Sequence, residues 1–308
     1  MSSTERSTMN PSDRKVIDIS DGICAYVQGG IGNQLFILAA ALEQSKRLDC
    51  PLYIDSSKYL ARDPLDRGYE TQQLFQLDQI DIEATHISSD SPWYRNSPRR
   101  PRFMRANFRQ SSKLNVYLEK NHSYNNEINT IKPGTTIYGY FQSPRYFEHS
   151  VQLISKFFEN KLISLDTSSF SGVNVHVRRG DYLLQANSST LGLASTEYFK
   201  RAMEFITQIT GKQSFQIFSD SPELVKIDFE GNKNISFREL PKQNNPLNEL
   251  LELSNSEGLI MSNSSFSWWA GWLMQAKNES SYVIAPRPWQ LRNDNSSQIL
   301  PKSWISLG

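Results

Sequence analysis

Only two cysteines, Cys24 and Cys50, occur in 308 residues, too few for a disulfide framework. Cys24 lies in the apolar run Ile23-Cys24-Ala25-Tyr26-Val27, which predicts a buried, inert thiol. Charge of one sign is not in excess. The 33 Lys and Arg balance 32 Asp and Glu, for a formal net charge of +1. No global field therefore draws the chain to nucleic acid or to a membrane surface. No apolar run approaches the ~20 residues that span a bilayer. The first twenty residues are rich in Ser, Thr and charge and lack the apolar stretch of a signal peptide. No Asp-x-Asp pair occurs anywhere, and Asp81-Ile82-Glu83 is only a near match.

What is present reads as alternating strands and helices, in a chain long enough for two domains. Residues 1–20 read as a flexible leader. Ile23 to Val27 reads as a strand. A glycine loop follows, and Leu35, Phe36, Leu38, Ala39 and Leu42 then recur at helical spacing to about Leu48. Leu52-Tyr53-Ile54-Asp55 reads as the next strand, and this β-loop-α-β unit predicts a parallel sheet. Residues 61–125 are less regular and rich in Arg, Asn and Ser. Thr136 to Phe141 reads as the last strand of a first half, and Gln142 to Glu148 leads across to a second.

The second half repeats the alternation. Val173-Asn174-Val175 predicts a buried strand entering His176. A helix starts near Ser195, with Tyr198, Phe199, Ala202, Phe205, Ile206 and Ile209 on its apolar side and Gly211 at its end. Phe215 to Phe218 reads as a strand, and Ser221-Pro222 fits an N-cap and first helical position. Pro246 to Ser256 reads as a helix, Leu259 to Met261 as a strand, and Tyr282 to Ala285 as the last strand. No internal repeat relates the halves. The pattern predicts an α/β chain of two halves around a central cleft.

Three motifs carry chemistry. His176-Val177-Arg178-Arg179-Gly180-Asp181-Tyr182 places two guanidiniums where a strand gives way to a loop, the position at which open α/β sheets bind ligands. Arginine's planar, permanently charged fork matches phosphate oxygens, so the motif reads as a diphosphate clamp. The alternative is a loop ion pair between Arg179 and Asp181. His176 and Arg178, two residues apart on a strand, share one side. Gly29-Gly30-Ile31-Gly32-Asn33-Gln34 is a glycine loop between strand and helix. It is not a dinucleotide fingerprint, because Leu35 stands where a small residue is required. Ser262-Asn263-Ser264-Ser265-Phe266-Ser267 precedes a helix through Trp268, Trp269, Trp272 and Leu273. Its N-terminus offers free N–H groups and partial positive charge, or plain capping. The tryptophans read as core.

In this order, from about Ile23 to Pro288, the three motifs resemble the α-1,2-fucosyltransferases, which include the blood-group H enzymes and bacterial relatives (glycosyltransferase family 11). The resemblance implies a GT-B type fold of two Rossmann-like domains facing a cleft. Residues 21–145 would form the acceptor side and 146–308 the domain binding GDP-β-L-fucose. It implies inverting transfer of L-fucose to the 2-hydroxyl of a terminal galactose. Acceptors would be lactose, N-acetyllactosamine or lipopolysaccharide-type glycans. No cofactor and no metal would be needed.

The resemblance also assigns residues. Arg178 would contact the β-phosphate of the donor. Gly32, Asn33, Gln34, His176, Arg179, Asp220, Ser265, Phe266 and Ser267 would line the donor site. Asp220 would face the nucleoside, unless it merely forms a turn before Ser-Pro. No general base stands out. Asp181 is available in the motif, and Glu70 and Asp55 in the first half, so Arg178, His176 and Asp181 form the catalytic candidates. The run Arg99-Arg100-Pro101-Arg102, with Arg105 and Arg109 and with Phe103 and Phe108 between, reads as a solvated loop, an acceptor rim or a peripheral contact to an anionic lipid-linked acceptor. No nucleic-acid partner is expected. The lack of an anchor suggests a bacterial-type cytoplasmic enzyme. An α-1,6- or peptide O-fucosyltransferase of the same clan, and a non-catalytic sugar-nucleotide or glycan-binding protein, remain alternatives.

Overall fold

A computed structural model describes residues 18–56, 84–87, 115–163, 169–180, 194–239, 245–291 and 294–308. The readings for Glu70, Asp181, the basic run at 99–109 and most of the leader lie outside them. The elements run β1 (Ile23–Tyr26), α1 (Ile31–Leu48), β2 (Leu52–Asp55), β3 (Ala84–Ile87), β4 (Asn115–Leu118), β5 (Thr135–Tyr138), α2 (Val151–Ile163) and β6 (Phe170–Val177). There follow α3 (Thr196–Thr210), β7 (Phe215–Ser219), α4 (Pro222–Asp228), β8 (Ile235–Phe237), α5 (Pro246–Leu253), β9 (Ser256–Ile260), α6 (Ser265–Lys277), β10 (Tyr282–Pro286), α7 (Ser296–Ile299) and β11 (Ile305–Leu307).

The strands form two sheets, ordered β3-β2-β1-β5-β4 and β11-β10-β9-β6-β7-β8. Every pairing in them is parallel. This is the α/β arrangement expected from the strand-helix alternation, and it fits the GT-B type that the resemblance implies. In the first sheet Ile23 stands opposite Leu52 on one side and Thr135 on the other. In the second, Val175 stands between Ile217 and Ile260. β1 and most of β6 are buried on both faces, as central parallel strands must be.

Four strands escape the sequence pattern: β3, β4, β8 and β11. All are edges of the two sheets. Bounds also shift. β5 ends at Tyr138 rather than Phe141, because Phe141 adopts φ +53°. α5 stops at Leu253, and β6 begins at Phe170. On α3, the Ser195 hydroxyl accepts from the Tyr198 N–H and Gly211 closes the helix at φ +73°. Ile209, read as part of its apolar side, is exposed.

α1 is buried almost all round, because it lies between the first sheet and α6. Phe36 on α1 meets Trp268 and Trp269 at ring-centroid distances of 4.6 and 5.1 Å, and Phe147 stacks on Trp269. Both tryptophans are fully buried. Truncating one such ring costs about 3–5 kcal/mol. Their N–H groups are satisfied as burial demands. Trp268 donates to the Ile299 carbonyl and Trp269 to that of Gly32, so adjacent indoles tether α6 to the chain's last helix and to the glycine loop. The C-terminal segment also reaches the first half directly. The Ser143 hydroxyl donates to the Gln298 carbonyl, and the Asn295 amide to that of His122. Among the described residues no helix is long and apolar enough to cross a membrane.

Candidate active site

The site is built where β6, β7 and β9 end. Ser262, just past β9, locks the end of β6. Its hydroxyl accepts the Arg178 N–H at 2.8 Å and donates to the His176 carbonyl at 2.7 Å. Asp220, just past β7, does the rest. Its Oδ1 accepts the N–H groups of Arg179 and Gly180 at 2.9 and 3.1 Å, and its Oδ2 lies 3.4 Å from Arg178 Nε. A Cβ on Gly180 would stand 3.0 Å from the Asp220 carboxyl carbon, so the turn needs glycine for that close approach. The carboxylate expected to face a nucleoside is thus engaged by the turn carrying the two arginines.

The two arginines part company. The Arg178 side chain keeps 30% of its surface exposed and pairs with Asp220, whereas that of Arg179 keeps 10% and turns inward. Arg179 Nη1 donates to the Ala194 carbonyl at 2.7 Å. Its Nη2 reaches Thr196 Oγ1 at 3.3 Å and Asp228 Oδ2 at 3.4 Å. The Thr196 hydroxyl in turn donates to Asp228 at 2.9 Å. Among the described residues the carboxylate that Arg179 meets is that of Asp228, at the end of α4, while the alternative partner Asp181 lies outside them. Arg179 anchors the turn to the start of α3 and the end of α4, while the Arg178 side chain stays partly exposed.

His176 is 3% exposed, and its ring lies 5.3 Å from that of Phe266. Burial, helped by the nearby Arg178 charge, lowers its pKa to about 3, so the imidazole is neutral. Its Nδ1 is buried with no hydrogen-bond partner among the described residues. Such an orphan in a folded protein calls for an explanation.

Opposite lies the glycine loop. Gly29 takes φ +82°, and the Asn33 amide covers it so closely that a Cβ there would stand 2.8 Å from Asn33 Nδ2. Gln142 Nε2 donates to Asn33 Oδ1 at 2.7 Å. Gly30 caps α1 without a side-chain hydrogen bond. Gly32 packs on the first turn of α6, and Ser264 caps that helix, its hydroxyl accepting from the Phe266 N–H. The N-termini of α1 and α6 therefore meet, and each carries partial positive charge.

Two expected contacts do not reach the cleft. Gln34 is fully buried and donates to the Gly29 carbonyl at 2.9 Å. Ser267 is fully buried and donates to the carbonyls of Ser262 and Ser264. Both shape their loops from within. Asn33, Ser265 and Phe266 stay half-buried at the surface. Asp55, a candidate base, is buried at the end of β2. The sequence reading missed Ser262, Thr196 and Asp228 as parts of the site. The serine-rich run after β9 held a signal for the first, and no local pattern marks the other two.

One cation aimed along the edge of a parallel sheet and two converging helix N-termini make a site for an anion of phosphate type. The chain is 28% identical over 302 residues to an alpha-1,2-colitosyltransferase of Escherichia coli, covering 92% of this chain and 98% of that one. It is 27% identical over 305 residues to the O-antigen biosynthesis glycosyltransferase WbnK of Escherichia coli, covering 91% and 99%. Among solved structures it is similar to the fucosyltransferase NodZ from Bradyrhizobium, with TM-score 0.47 and 14% identity over 82% of this chain and 92% of that one. The model of Glycosyl transferase family 11 matches residues 111–307, well over half of the chain. Two of the three motifs, at 176–182 and 262–267, lie within that match, and the chain belongs to glycosyl transferase family 11, whose members are glycosyltransferases.

Proposed function

We propose that the chain is an inverting, metal-independent galactoside 2-α-L-fucosyltransferase. It takes L-fucose from GDP-β-L-fucose and delivers it to the 2-hydroxyl of a galactose-terminated glycan. The observation that carries this reading is Arg178, held by Asp220 and Ser262 at the end of β6 with its side chain partly exposed.

As the bond from the sugar C1 to the diphosphate oxygen stretches, negative charge builds on the departing GDP. A cation fixed beforehand stabilises that charge more than it stabilises the bound donor. The N-termini of α1 and α6 add to the same field, so the charge a metal would neutralise is met by the protein itself. The His176 Nδ1 finds its missing partner in the nucleotide. Asn33, Ser265 and Phe266 complete the donor side, and Asp181 accepts the proton of the attacking hydroxyl. Attack opposite the leaving group inverts C1 and yields an α-1,2 linkage.

A second reading is favoured by the colitosyltransferase relative, which covers nearly its whole length with this chain. On it the donor is GDP-colitose, and the same groups serve. The test is release of GDP from GDP-fucose and from GDP-colitose, with and without lactose, in EDTA, for wild type and Arg178→Ala. Lactose-dependent release from GDP-fucose, abolished by the substitution, supports the fucosyl reading. A strong preference for GDP-colitose replaces it with the second. Binding without release under a wide panel of galactosides means a binding protein.

A further inference from the structure

Glu119 has no part in the site described above. It follows β4 at the edge of the first sheet, and its carboxylate is turned onto the chain leaving β5. Oε2 accepts the Tyr140 N–H at 2.7 Å and the Phe141 N–H at 3.1 Å, while Oε1 lies 3.2 Å from the Phe141 nitrogen. Two successive N–H groups converging in this way form an anion-binding concavity, here filled by the protein's own carboxylate. Phe141 is fully buried and holds φ +53°, a region that non-glycine residues avoid. Strain of that kind persists only where surroundings impose it. A Cβ on Gly139 would stand 2.6 Å from Glu119 Oε2, so the residue before the bend must be bare.

The bend has a consequence at the next residue. Gln142 emerges from it with its amide 2.7 Å from Asn33 Oδ1, and Asn33 is the residue folded over Gly29. A carboxylate just past an edge strand is thus linked, through one strained residue and one amide, to the loop that opens α1.

We propose that Glu119 is a positioning residue for the glycine loop. Its carboxylate imposes the left-handed bend at Phe141 and so presents Gln142 to Asn33. The inference deepens the proposed function and rests on its reading that this loop faces the donor.

Oε2 accepts both N–H groups and Oε1 shares that of Phe141, so glutamine can keep the two Oε2 bonds and alanine keeps none. The experiment compares wild type, Glu119→Gln, Glu119→Ala, Gln142→Ala and the Ala/Ala double variant by donor KM, kcat and amide exchange over residues 28–34. Glu119→Ala and Gln142→Ala each should raise the donor KM about tenfold, and the double variant no further, since one chain of contacts is cut. Glu119→Gln should stay near wild type. Exchange in the loop should quicken in both alanine variants and not in the glutamine variant.

Additive effects, or a glutamine variant as impaired as the alanine one, overturn the proposal. Unchanged loop exchange in both alanine variants overturns it too. If Glu119→Ala does not fold, Gln142→Ala decides alone, by loop exchange and by donor KM. If the wild type turns over no sugar nucleotide, the proposed function fails, and loop exchange still judges Glu119.

Discussion

A Cβ on Gly32 would stand 2.5 Å from the Phe266 nitrogen, so the glycine loop and the first turn of α6 touch main chain to main chain. The contact joins the two sheets at the very edge where the site forms. The neighbouring bond from Trp269 Nε1 to the Gly32 carbonyl, at 3.1 Å, holds it shut. The glycine serves this approach, where a dinucleotide fingerprint would use its glycines to admit a pyrophosphate.

Gly32→Ala should therefore push α1 and α6 apart. Overpacking of this kind costs about 1–3 kcal/mol, read as a lower urea midpoint. An unchanged midpoint would show that the two helices separate freely and that the contact is incidental.

Arg178→Ala should lower kcat by roughly 10²–10³-fold, the usual loss for one preorganised group facing developing charge. The melting temperature should barely move, because the guanidinium is partly solvated while the Asp220 clamp on the main chain survives. A variant with undiminished kcat would remove Arg178 from the chemistry.

Asp228→Ala leaves the inward-turned Arg179 without its carboxylate. The loss should be about 1–3 kcal/mol of stability, below the value for a fully buried pair because Asp228 is partly exposed. Asp228→Asn should lie between, since its amide oxygen still accepts from Thr196. Chemical denaturation of the three proteins checks the order, and equal stability would mean that Arg179 finds another partner.

His149 Nδ1 lies 2.7 Å from Glu43 Oε1, and the Ser150 hydroxyl donates to the other oxygen. The hydrogen bond and charge of Glu43 raise the His149 pKa above 6.5. A group whose folded pKa is raised contributes stability that is full below its unfolded pKa and lost as pH rises through the folded one. Unfolding free energy should thus fall as pH rises through and beyond the ordinary histidine range. Glu43→Gln should flatten that fall, and an identical slope in the variant would assign it to other groups.

The inner strands are legible in the sequence and the edges are not. β1, β2, β5, β6, β7, β9 and β10 have sheet neighbours on both sides, and burial writes them as apolar runs. β3, β4, β8 and β11 are three or four residues long. Ile235-Ser236-Phe237 and Ile305-Ser306-Leu307 are three-residue runs with a serine in the middle, only partly buried at the sheet edges, and too short to stand out.

Sequence alone determined the family, the order of the inner strands and which residue types gather at the strand ends. Two guanidiniums follow β6, a carboxylate follows β7 and serines follow β9. Those are matters of local order along the chain. Tertiary structure alone decided which groups face the cleft. Arg178 and Arg179 are neighbours, yet one is aimed outward by Asp220 and the other inward by Asp228, a partner 49 residues away. Gln34 and Ser267 turn to main-chain carbonyls, and Gln142 meets Asn33 across 109 residues. Side-chain direction is settled by such distant partners, and no local pattern of residue types encodes them.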